Sequence, residues 1–137
     1  MKDLKMTVDG ELVIGPDGDI ATVEGDEAIA QQILFRLKTQ KRDWTLSPEV
    51  GANLESFIGK PNTRETRDLI EVAVLSELIR AQLVIAPIVK CIQLSAEEVF
   101  ITVEFPSIED KSRTVMVTAN LELKTGLVSA RTAFNDN

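Results

Sequence analysis

Val99-Phe100-Ile101-Thr102-Val103-Glu104-Phe105 and Val115-Met116-Val117-Thr118-Ala119-Asn120-Leu121-Glu122-Leu123 decide the fold of this chain. In both runs apolar residues alternate with polar ones. A period of two means an extended strand with one face buried and one face wet, as in an antiparallel sheet covered by helices on one side. Pro106 stops the first run, because proline cannot donate to a sheet ladder. An earlier run follows the same rule less cleanly. There Ile88, Lys90, Ile92 and Leu94 alternate with Val89, Cys91 and Gln93. Gly126 opens a tail, Leu127 to Asn137, that reads either as a fourth strand or as an end ordered by a neighbour.

Moving toward the N-terminus the period changes to that of a helix. Asn62 or Thr63 is placed to cap a helix running to about Leu83, with Glu65 as a capping-box partner of Asn62. Its pattern has two halves. Arg64, Arg67, Asp68 and Glu71 lie on one side, opposite Leu69, Val72 and Ala73. Past Val74 the arrangement turns over, and Leu75 and Leu78 take the side that was charged. Two opposed apolar faces have two readings, a bend that returns the second half to the core or a partner that covers one face.

Before that helix lies Asp43 to Pro61. Trp44 and Leu46 suit a short extended piece, which Ser47-Pro48 breaks. Leu54, Phe57 and Ile58 share the face of a short helical turn that Gly59 and Pro61 end. The bland role is a connector packing Trp44 and Phe57 on the core. Earlier still, Ile29, Ile33 and Leu37, widened by Ala30 and Leu34, predict an amphipathic helix. Asp26 and Glu27 stand at its start and Lys38, Lys41 and Arg42 at its end, where the helix dipole favours each sign. Leu12-Val13-Ile14 and Ile20-Ala21-Thr22-Val23 flank Gly15-Pro16-Asp17-Gly18-Asp19, which predicts an N-terminal hairpin. The expectation is therefore one α+β domain over residues 1–137. It has an N-terminal hairpin, two main helices and a C-terminal antiparallel sheet of three or four strands.

Composition narrows the chemistry. The 137 residues are 44% hydrophobic and 27% charged, which suits a folded domain. The net charge of −7 disfavours a grip on nucleic acid or on an anionic membrane surface. There is no histidine, so His-based nucleophilic triads and the commonest metal ligand are excluded. Cys91 is the single cysteine and reads as a small buried hydrophobe. Asp17-Gly18-Asp19 is too short for a calcium loop. The Gly15–Gly18 region lacks the Lys and Ser/Thr of a phosphate loop. No signal peptide or membrane span is visible, so synthesis in a reducing cytoplasm is expected. Neither cofactor nor metal is expected, and no catalytic residue is assigned. A carboxylate pair such as Glu49 and Glu55 keeps a glycoside hydrolase as an alternative, although 22 acidic residues make chance pairs easy.

Gly18-Asp19-Ile20, Val23-x-Gly25-Asp26-Glu27-Ala28, Gln31-Gln32-Ile33-Leu34-x-Arg36-Leu37, Asp43-Trp44-x-Leu46-x-Pro48-Glu49-x-Gly51 and Leu54-x-x-Phe57-Ile58-Gly59 follow one another in a set order. Together they resemble the small baseplate wedge proteins of contractile phage tails, the sheath initiators, over about Gly10 to Phe105. Trp44, Pro48, Gly51, Phe57 and Gly59 are the structural signature. Many relatives carry Glu-Pro-Arg before the first C-terminal strand. Here the place reads Ala86-Pro87-Ile88, so nothing attached to that Glu and Arg carries over, including the lysozyme activity with which some members are labelled. The resemblance implies a structural protein of the virion tail baseplate, present in six copies around the tail axis. Its implied partners are the sheath protein, wedge proteins and, nearby, tube or hub proteins, with no nucleic acid and no membrane. It also implies a mechanism, in which exposed edge strands template the sheath by strand addition. On that reading Leu75 and Leu78 meet the wedge, and the strands holding Val99, Ile101, Val115 and Val117 supply the sheet. The competing functions are a lysozyme-like peptidoglycan hydrolase and a cytosolic adaptor that binds peptides by strand addition.

Overall fold

A computed structural model describes residues 2–6, 12–19, 21–38 and 51–136, with backbone alone for 2, 3, 23 and 130–136. The C-terminal half is a four-stranded antiparallel meander in the order β3 (Ile88–Gln93), β4 (Glu98–Pro106), β5 (Thr114–Glu122) and β6 (Val128–Asp136). The tail is thus a fourth strand. Alternation does what it predicts: Val99, Ile101, Val103, Phe105, Val115, Val117, Ala119 and Leu121 are all buried, while their neighbours face the other way.

Two helices close that buried face. Helix α1 (Gly25–Lys38) packs on β5 and β6 through Ile29, Ile33, Leu34 and Leu37. Helix α2 (Arg64–Ala81) packs on β3 and puts Ile70, Val74 and Leu78 into the same core. Thr63 caps α2, its hydroxyl accepting the Thr66 N–H at 3.2 Å, and Gln82 ends it in the left-handed conformation. Asn62 is not the cap. Its amide donates to Ser95 O at 2.8 Å and Glu98 O at 3.0 Å, fixing the start of α2 to the β3–β4 turn.

Of the two readings of α2, the bend is not what the structure shows. The helix runs without interruption from Arg64 to Ala81, and its core stripe is one row spaced by four: Thr66, Ile70, Val74, Leu78. Leu78 belongs to that row and Leu75 is half-buried beside it. Leu69 and Val72 point away from the core instead, joined by Ile79.

The predicted N-terminal hairpin is also corrected. Strand β2 (Thr22–Glu24) pairs antiparallel with β1 (Lys2–Leu4) and not with a strand at 12–14. Lys5 N–H extends that pairing to Ala21 O at 2.8 Å. The turn chemistry does form, with Gly15 N–H donating to Asp19 O at 2.7 Å and Ala21 N–H to Val13 O at 2.7 Å. Among the described residues the run 12–14 contributes such single contacts, including one bridge from Leu12 to Met6. Residues 2–4 win the ladder because Gln31 of α1 holds their continuation. Its amide donates to Leu4 O at 2.6 Å and accepts from Met6 N–H at 2.9 Å, acting as one more peptide unit beside the strand.

Candidate functional site

Three features stand out among the described residues. The first is a buried charge. Glu77 lies on α2 next to the core row, with its side chain only 3% exposed. Its carboxylate accepts from Arg36 Nη1 of α1 at 2.7 Å, from Gly51 N–H at 2.9 Å and from Arg80 Nη2. Burial pushes the Glu77 carboxyl up, but Arg80, the Gly51 N–H and Arg36 outweigh it and hold the group below the usual carboxylate value. Gly51 makes its bond at φ +114°, a conformation that only glycine takes without strain. Ala52 N–H, next in the chain, donates to Arg36 O at 3.0 Å. A shallow cavity of about 180 Å³ opens beside this junction, lined by Gly51, Ala52, Ala73, Ser76, Glu77 and Arg80.

Such a carboxylate is a strut. A glycosidase acid must hold a proton near neutrality, which requires a raised pKa. Glu77 is shifted the other way and its oxygens are occupied. Glu55, one half of the pair considered from sequence, is exposed on the short 3-10 helix Leu54–Phe57. Glu49, the other half, lies outside the described residues.

The second feature is a second buried acid, Asp26, at the start of α1. Its carboxylate accepts from Ser107 Oγ and, at 2.9 Å, from Ile108 N–H. Glu109 reaches back to accept the Asp26 N–H at 3.3 Å. The loop after β4 is thereby fastened to the helix.

The third is surface. Leu69, Val72 and Ile79 are 55%, 59% and 58% exposed on the outward face of α2. On β3, Ile88 and Ile92 are exposed on the sheet face turned from the helices. Among the described residues no helix is long and apolar enough to cross a membrane, and no three His, Cys, Asp or Glu side chains converge to hold a metal.

The residues singled out from sequence divide accordingly. Leu78, Val99, Ile101, Val115 and Val117 are at most 1% exposed. Their side chains hold this chain's own core and are closed to a partner, which corrects the expectation of a side-chain interface there. Strands β4 and β5 are interior to the sheet, whose edges are β3 and β6. Of the structural signature, Gly51 is fastened to Glu77 of α2, whereas Phe57 and Gly59 have other partners. Phe57 packs against the core, and Gly59 N–H donates to Leu123 O at 2.9 Å. Trp44 and Pro48 lie outside the described residues. Arg36, Glu77, Asp26, Leu69, Val72 and Ile79 were not expected as functional. A signal for Glu77 did exist, since a charge beside the row Ile70, Val74, Leu78 demands a partner.

Residues 2–126 match the model of the contractile injection system sheath initiator family. The chain belongs to that family. It is accordingly a structural, non-catalytic component of the contractile-tail baseplate, associated with baseplate and sheath. No curated protein sequence matches the chain. A solved structure described as a tail lysozyme from Geobacter sulfurreducens aligns over 82% of this chain and 88% of that one, at 16% identity and a TM-score of 0.42. A likeness at that level says nothing of activity.

Proposed function

We propose that this sheath initiator, acting as one domain over residues 1–137, links the baseplate wedge to the sheath and templates the first sheath ring by strand addition. The observation that carries the reading is the sheet itself. It is an open antiparallel meander of four strands, with helices on one face and an edge strand at each side. An edge strand offers a row of backbone donors and acceptors that an extended segment of a neighbour completes. The wedge meets the outward face of α2. There Leu69, Val72 and Ile79 form an apolar stripe left uncovered by the described residues. Each is already partly covered, so burying the remainder contributes about 1–1.5 kcal/mol per side chain. Six copies around the tail axis, with tube or hub proteins nearby, follow from the family resemblance.

The test is reconstitution of baseplates from purified parts. Particles lacking the chain should assemble tube but nucleate no sheath. Particles given the Leu69→Asp/Val72→Asp variant should fail to retain it, although it folds. Sheath growing at the normal rate on particles without the chain would remove the proposal.

A further inference from the structure

Pairing along the sheet is uneven. β3 with β4, and β4 with β5, keep an unbroken register along their length. β5 with β6 does not. Its register shifts twice, between Met116 and Thr118 and again between Thr118 and Ala119. The same strand carries two buried polar atoms without a hydrogen-bond partner, Thr118 Oγ1 and Asn120 Oδ1. Thr118 is 93% buried by its own 7% exposure. Both residues alternate with the core residues Val117, Ala119 and Leu121, so both lie on the face turned from the helices. Orphaned polar atoms are rare in native interiors and each needs a reason.

Two further observations bear on the same place. The family match ends at residue 126 and β6 begins at Val128, so β6 lies beyond the matched residues. The β5–β6 connection is a tight turn. Gly126 N–H donates to Glu122 O at 2.8 Å and Glu122 N–H to Leu127 O at 2.9 Å. A strand tied by a short turn at one end, with its ladder interrupted around Thr118, can peel from the far end.

We propose that β6 is a replaceable occupant of the β5 edge, and that an extended segment of the sheath subunit displaces it. This rests on the strand-addition reading above and names the edge that accepts. The exchange keeps the number of backbone hydrogen bonds, so the gain comes from what β6 leaves undone. The incoming strand runs in continuous register along β5. It alternates small apolar residues against Val117, Ala119 and Leu121 with hydroxyl or amide donors opposite Thr118 and Asn120. The device also protects the chain before assembly, since an occupied edge does not recruit unrelated strands.

A reversible lock tests it. Met116 and Asn135 are paired across the two strands at the end far from the turn, at the separation a disulfide spans. Met116→Cys/Asn135→Cys, made with Cys91→Ala, ties the far end of β6 down when oxidised and frees it when reduced. The probe is a fluorescein-labelled synthetic peptide of residues 127–137, which has the sequence of β6 and competes for its place. The reduced protein and the wild type should take the peptide up, as read by anisotropy. The oxidised protein should do so at least tenfold more slowly, and dithiothreitol should restore it. Equal uptake in both states, or none by the reduced form, overturns the exchange. Sheath growth on baseplates carrying each state separates the two ideas. Growth on the oxidised form equal to the reduced refutes displacement of β6 and leaves strand addition at another edge standing. Peptide exchange without growth on either form supports the replaceable strand and removes the templating reading.

Discussion

Glu77→Gln is the sharpest test of how the helices are joined. The substitution keeps the size of the side chain and an oxygen for the Gly51 N–H, but removes the charge that Arg36 and Arg80 face. Arg36 is only 17% exposed, so its guanidinium is left in a poorly hydrated site, and Arg80 at 39% recovers much of its loss from water. Removing one partner from a buried pair costs about 3–5 kcal/mol, and the exposed half of this triad places the expected loss at the lower end, about 3 kcal/mol. Against a total of roughly 5–15 kcal/mol that is a large fraction. It corresponds to a fall in Tm of about 10 °C for a domain of this size. Urea unfolding followed by circular dichroism at pH 7 measures it. The pH dependence carries a second check. The folded-state pKa of Glu77 lies below its ordinary value of 4.5, so its contribution is present above that value and lost as pH falls through the lower, folded one. Wild type and variant should therefore converge in strongly acidic buffer. A loss below about 1 kcal/mol at pH 7, or a gap that stays constant into acid, would refute the account of Glu77 as a charged strut.

Asp26→Asn should cost about 2 kcal/mol by the same assay, because a charge-assisted acceptor for Ser107 and Ile108 is replaced by a group half of which donates; a change within 0.5 kcal/mol would contradict it. Burial, with Glu71 nearby, pushes the Cys91 thiol up to about 12, so iodoacetamide at pH 8 should label the native chain far more slowly than the unfolded one, as mass spectrometry can count. Gly126→Ala should destabilise by about 1 kcal/mol or more, since the site has φ +78° and a Cβ there meets Ile58 Cδ1 at 2.7 Å. Ile58→Ala in the same chain should recover part of that loss, the part due to crowding.

The strands were legible because their burial is one-sided and in register with the sequence, from Val99 through Leu123. Helix α1 was legible for the same reason at a period of 3.6. Other parts turned on contacts between distant residues, which no local pattern carries. Leu12–Ile14 has the composition of a strand, yet Lys2–Leu4 takes the ladder because Gln31 of α1 supports it from the side. Which side of α2 faces the core was hidden for a similar reason. Leu69 and Val72 look like a core stripe when only residues 64–74 are read. The continuous row Ile70, Val74, Leu78 appears only when the whole helix is placed against β3. Asp26 reads from sequence as an ordinary helix-start acid, and only the return of the chain at Ser107 gives it a second use. The interface residues expected in β4 and β5 were assigned to the right sheet, but the side chains that make those strands apolar are the ones that seal it.

The grip of Asp26 on Ser107 and Ile108 has a mechanical consequence. On the strand-addition proposal a pull on the sheath reaches this chain along its strands. In an antiparallel sheet such a pull loads many ladder bonds at once in shear, instead of opening them one after another. The loop after β4 is where that tension would leave the sheet, and there it passes through a carboxylate directly into the first turn of α1. The molecule thus behaves less like a stack of separable strips than like a riveted bracket, with its rivet at a carboxylate buried inside its own fold.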